Sequence, residues 1–170
     1  KEEAVVLEMG MRGSGEIELL SLIALPDIAM ITNIGWSHIE RLGGRDAILR
    51  AKCEIISGLD QAGWLILNSD DRLLSEWYSS EQLLQHLFLV SADGRPDKNF
   101  SGPQFWAEHI QVFENSTSFV LRNKTDSWPV KLNVPGRHHV RNALFGFAAA
   151  AIMDIPIESA VSGAQKYINT

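Results

Sequence analysis

Short apolar runs alternate with segments of helical period through the first half of the chain. Ala4 to Met9 (AVVLEM) is apolar and closed by Gly10, the pattern of a strand buried on both faces. Glu16 to Ala24 carries apolar residues at 17, 19, 20, 22, 23 and 24 and predicts a short helix, ended by Pro26 and Asp27. Ile28 to Ile34 predicts the next strand. A helix is expected from Arg45 to Leu59, where Ala47, Ile48, Ala51, Ile55 and Leu59 lie close to a 3.6-residue stripe. Trp64 to Leu67 reads as a third strand, Asp71 to Ser79 as a helix, and Leu87 to Val90 as a fourth strand.

This order predicts an α/β fold: a mostly parallel sheet flanked by helices, with right-handed crossovers. The pattern then changes. Phe105 to Phe113, Thr117 to Arg122 and Val130 to Val134 are strand-like and separated by turn residues, which predicts a small antiparallel extension. Pro135 and Gly136 break that run. An Ala-rich helix is expected from His138 to Met153 and a last one from Ile157 to Ile168.

Composition narrows the functional classes. At 170 residues the chain is the size of one domain, and 45% hydrophobic with 21% charged residues is ordinary for a globular fold. A net charge of −6 argues against a non-specific nucleic-acid or membrane-surface binder. An anionic nucleotide needs only a few local cations and a metal, so it stays within reach. No apolar run approaches the roughly 18 residues of a membrane span. The single cysteine, Cys53, reads as a buried thiol in a reducing cytoplasm. The chain opens at Lys1 with no signal-peptide pattern and is expected to be a fragment.

In open parallel sheets, ligands bind beyond the carboxyl ends of the strands. Three predicted strands finish in polar residues there: Glu8 on the first, Thr32 and Asn33 on the second with His38 following a Gly35-Trp36-Ser37 loop, and Asn68, Asp70 and Asp71 on the third. Glu8 inside an apolar run is costly to bury unpaired. Either it lies at an exposed strand end, or an internal ion pair meets it, or a hard divalent cation does. His38 alone reads first as a loop histidine with a structural hydrogen bond. Lys52 falls within an apolar helical stripe, where a salt bridge to Glu54 or a neighbour is the plain explanation. Gly10, Gly13 and Gly15 have the spacing G-x-x-G-x-G, the reverse of a dinucleotide fingerprint, and read as turn residues.

The block Glu8 to Ile55 resembles the Mur ligases, on E-M-G followed by G-E-I, then P-D-x-A-x-I-T-N-I-G-x-S-H, then A-K-x-E-I. L-N-S-D-D (67 to 71) is similar to the family's N-x-D-D element, and P-G-R-H-H-V-R-N-A-L (135 to 144) to its G-x-H-N-x-x-N motif. The ordered series covers nearly the whole chain and looks most like the branch that adds D-alanyl-D-alanine to UDP-N-acetylmuramoyl-tripeptide. The resemblance implies a P-loop NTPase-like central domain, ATP and Mg²⁺ as cofactors, and amide-bond formation through an acyl phosphate.

By that likeness Glu8, His38 and Lys52 are metal ligands, and a carbamylated Lys52 and His38 are the catalytic residues. Asn142, His138, Asn33, Asn68 and Asp70 belong to the nucleotide side. Carbamylation turns a neutral amine into a carboxylate-like oxygen donor, which gives an inward lysine beside an acidic metal site a purpose. An asparagine amide at 142 can match an adenine edge with one donor and one acceptor. Two departures stand out. His139 occupies the place of the first motif asparagine, and the family's G-x-x-G-K-[ST] loop is expected before Glu8, where only seven residues stand. The chain is therefore expected to be a piece of the central domain, without that loop or the flanking domains, and inactive alone. The alternatives are another Mur or folylpolyglutamate synthase-type ligase, or an interaction module that kept the fold.

Overall fold

The computed structural model describes residues 4–36, 42–81, 83–96 and 99–167. Its elements in chain order are α1 (Glu16–Ala24), β1 (Ile28–Ile31), α2 (Arg45–Cys53), a 3₁₀ turn (Glu54–Gly58), β2 (Trp64–Asn68), α3 (Arg72–Ser80), β3 (His86–Ser91), β4 (Gln104–Val112), β5 (Thr117–Arg122), β6 (Ser127–Leu132), α4 (Arg137–Ile152) and α5 (Ile157–Gln165). The strands form one six-stranded sheet in sequential order. β1 to β4 are parallel, while β5 and β6 are antiparallel additions. The expected fold class is the observed one.

The period of two along the central strands divides the core between the faces. Leu65, Leu67 and Leu89 join Ala29 and Ile31 in a cluster with Ile17 of α1, Ile48 and Ala51 of α2 and Leu74 of α3. Ile66, Phe88 and Val90 point the other way, into a cluster with Val140, Leu144 and Phe147 of α4 and the inner residues of β4 to β6. β2 is thereby buried on both sides, which is why its run is apolar without alternation.

Several expectations need correction, among them the strand expected over 28 to 34, which ends at Ile31. Residues 4–9 join no strand, and Val5, Val6 and Leu7 are 75%, 94% and 62% exposed. An apolar run reports a preference for burial, not a pairing partner, and among the described residues β1, at the sheet edge, pairs only with β2. The helix expected to reach Leu59 stops at Cys53 and tightens into the 3₁₀ turn. There Ser21 Oγ donates to Ile55 O at 2.5 Å and accepts from Gly58 N at 3.1 Å, pulling the turn onto α1. The approach is possible only because residue 58 lacks a side chain: a Cβ would lie 2.1 Å from Ser21 O. The last strand is Ser127–Leu132 rather than 130 to 134; it includes Pro129, tolerated because β6 is an edge strand.

Candidate nucleotide-side rim

The carboxyl ends of β1, β2 and β3 are bound to one another by the side chains that follow them. Asn68, 2% exposed, donates from Nδ2 to Thr32 O at 3.0 Å and accepts from Asp70 N at 3.0 Å, tying β2 to β1. Asp70 accepts from Ser91 Oγ at 2.5 Å and from Ala92 N at 2.7 Å, tying β2 to β3. Asp71 caps α3 by accepting from Leu73 N and Leu74 N at 3.0 and 3.4 Å, and its other oxygen accepts from Ile34 N at 2.7 Å. Arg45 donates to Ile34 O at 2.8 Å, lies 4.0 Å from the Asp71 carboxylate and stacks on Trp36.

Lys52 comes to the same rim. It is half-buried on α2 and donates from Nζ to Asn33 O at 2.7 Å. Burial pushes its pKa down from 10.5, against the pull of the Asp71 carboxylate, which raises it. Burial thus makes the ammonium less favourable here than on a solvated lysine. Glu54 is not its partner. That carboxylate lies on the first turn of α1, accepting from Gly15 N at 2.8 and 2.9 Å, from Ser14 Oγ at 2.8 Å and from Glu18 N at 3.4 Å.

The far end of the rim reaches α4. Arg137 donates to Ala92 O at 3.2 Å and to Asp93 at 2.7 Å. Thr117 fixes the entry to that helix, donating to Val134 O and accepting from Gly136 N, both at 2.9 Å. Gly136 has φ 120, a conformation that suits glycine, and His138 folds against it. His138 and Asn142 are exposed on the first turns of α4, with the His138 and His139 rings 4.0 Å apart. Burial, then His138, pushes the His139 pKa below 6.5.

The structure thus brings Lys52, Asn33, Asn68 and Asp70 together, with His138 and Asn142 on the helix joined to the rim through Arg137. Asn68 and Asp70 commit their polar atoms to strand ends, so they brace the rim. Glu8 is exposed and among the described residues makes no hydrogen bond or ion pair to Lys52. His38 lies outside the described residues. Among them, no three His, Cys, Asp or Glu side chains gather closely enough to hold a metal. Gly15, with φ 85, is a turn residue as expected. Sequence reasoning missed Arg45 and the capping role of Glu54. The only local signal for the first was an arginine opening a helix; nothing local announces the second.

Residues 1–150 match the model of the Mur ligase middle domain. The chain belongs to the Mur ligase family. The chain is 37% identical, over 161 residues and 95% of its length, to the UDP-N-acetylmuramoyl-tripeptide–D-alanyl-D-alanine ligase of Bacillus subtilis (strain 168). It is 33% identical, over 86% of its length, to the ligase of the same name from Escherichia coli (strain K12). A crystal structure of MurF from Acinetobacter baumannii superposes with a TM-score of 0.84 at 30% identity, covering 97% of this chain and 34% of that one. The chain spans about a third of the curated relatives it matches, 32% of the Bacillus ligase and 30% of the Escherichia one. No helix among the described residues is long and apolar enough to cross a membrane.

Proposed function

We propose that this chain is the nucleotide-binding middle part of a cytoplasmic, ATP-dependent ligase that joins D-alanyl-D-alanine to UDP-N-acetylmuramoyl-tripeptide in peptidoglycan precursor synthesis. The observation that carries the reading is Lys52: a half-buried lysine at the strand-end rim, donating to Asn33 O at 2.7 Å, in a chain 37% identical to a relative named for that reaction.

A neutral amine is the form that attacks carbon dioxide, its nitrogen bonding the carbon and one proton leaving. The product is an anionic carbamate. With Glu8 and His38 it would offer oxygen and nitrogen donors suited to Mg²⁺ beside the ATP phosphates. The metal's contribution when bound is to offset charge on the phosphoryl oxygens. On this reading Asn142 and His138 would face the adenine and Asn33 would border the metal, while Asn68 and Asp70 hold the strand ends between them. In the reaction, a carboxylate oxygen of the tripeptide takes the γ-phosphoryl group and ADP leaves. The D-alanyl-D-alanine amine then attacks the acyl carbon, losing a proton, and phosphate departs.

On this reading the phosphate-binding loop, and the parts holding the UDP moiety and the amino substrate, belong to the relatives' length that this chain does not span. The test is to assay the full-length protein containing this chain for ATP-dependent ligation with D-alanyl-D-alanine, diaminopimelate, lysine or glutamate as acceptor. D-Alanyl-D-alanine is the expected acceptor, and the isolated chain is expected to turn over no ATP. A preference for glutamate would move the chain to the folylpolyglutamate synthase type. Ligation with no acceptor, by a full-length protein, would leave an interaction module.

A further inference from the structure

We infer that Arg45 and Asp71 form a clamp on the backbone of Ile34 that positions Lys52, making both of them positioning residues of the ligase proposed above, on which this inference rests. Ile34 is 2% exposed and sits in the irregular segment after β1. Both of its backbone polar groups are held by charged side chains: Asp71 accepts from its N–H at 2.7 Å, and Arg45 donates to its C=O at 2.8 Å. With Arg45 and Asp71 4.0 Å apart, the contacts close a ring through one residue. The carbonyl just before it, Asn33 O, is the acceptor for Lys52 Nζ at 2.7 Å.

Three elements meet in that ring. Asp71 begins α3 as its N-cap, Arg45 begins α2, and the segment between β1 and α2 supplies Ile34. Lys52, on the last turn of α2, is fixed at one end by its helix and at the other by the carbonyl the ring holds in place. Hydrogen bonds to charged groups are stronger than neutral ones, and a side chain with one shielded face holds its geometry better than an exposed one. The Asp71 side chain is 9% exposed and that of Arg45 33%. An ordinary solvated ion pair would not need to grip both groups of the same buried residue. Displacement of a reacting or ligating group by about 1 Å can cost on the order of a hundredfold in rate, so loosening Ile34 should be felt at Lys52.

The test uses the full-length ligase with Arg45→Met, Arg45→Lys and Asp71→Asn, freed of metal and bicarbonate for the acetylation arm so that Lys52 is the uncarbamylated amine. Two readouts are taken: the rate at which acetic anhydride acetylates Lys52, followed by peptide mass, and kcat against KM for ATP. Arg45→Met should speed Lys52 acetylation several-fold and lower kcat tenfold or more with KM for ATP changed less than threefold. Arg45→Lys, which can still donate to Ile34 O, should recover part of both. If Arg45→Met fails to fold, Asp71→Asn, which can still cap α3, should show the same pair of changes. Unchanged Lys52 acetylation in the variants overturns the clamp, as does faster acetylation with kcat untouched. If the wild-type protein does not ligate D-alanyl-D-alanine, the proposed function fails while acetylation still decides the clamp.

Discussion

The Glu54 carboxylate caps α1 from 39 residues away, accepting the Gly15 amide at 2.8 Å. α1 has no side-chain cap at its own N-cap position, which is Gly15. Glu54 supplies the missing acceptor from the turn that follows Lys52. Glu54→Ala should lower stability by about 1–2 kcal/mol, and Glu54→Gln should lose less. Urea denaturation of both variants checks this.

Thr117 lies fully buried and holds the two backbone groups that bracket the Pro135-Gly136 break, Val134 O and Gly136 N. Thr117→Val keeps the shape and removes the hydroxyl. The cost should be about 1–3 kcal/mol, the penalty for leaving buried polar groups unmatched. Thermal unfolding, compared with Thr117→Ser, separates the lost hydroxyl from lost packing.

Cys53 is 7% exposed, and burial pushes its thiol up to about 12, with Glu81 adding to the shift. At neutral pH the folded chain should resist alkylation by iodoacetamide, reacting fast only in denaturant. Because the folded pKa lies above the unfolded 9.0, this group's contribution to stability is complete below that value and is lost as pH rises toward about 12. Cys53→Ala should flatten stability above pH 9.0.

Lys52 gives the opposite slope. Its folded pKa is lowered from 10.5 by burial first, so between the folded value and 10.5 the unfolded chain holds the proton that the folded chain has shed. Stability then rises with pH through that window and the penalty of burying the ammonium is gone above 10.5. The stability of the wild type relative to Lys52→Met should therefore increase from neutral pH toward 10.5. Chemical denaturation at stepped pH measures it; a flat difference would mean that the amine is not desolvated.

Patterns that depend on neighbours close in sequence were legible. α1 and β5 run over the residues the apolar spacing predicts, because burial of one face is written in local periodicity. The apolar run at 4–9 was misread because periodicity cannot tell a wish for burial from a partner. The end of α2 was misread because it depends on Ser21 meeting Gly58 across the chain. Polar identity at the rim was legible, but its use was not. Asn68 and Asp70 announce themselves as strand-end polar residues, yet only the coordinates show that their oxygens and amide are spent on Thr32, Ser91 and Ala92. Asp71 was legible as a strand-end carboxylate, but its pairing with Arg45 across Ile34 exists only in the fold.

The most direct measurement is nuclear magnetic resonance of the full-length, magnesium-loaded ligase in isotope-labelled bicarbonate. A carbamate carbon signal should appear with wild-type protein, vanish in Lys52→Arg, and accompany D-alanyl-D-alanine ligation that falls by about a hundredfold or more in that variant. An active wild-type enzyme with no carbamate signal, or a Lys52→Arg variant that ligates at the wild-type rate, would contradict the account.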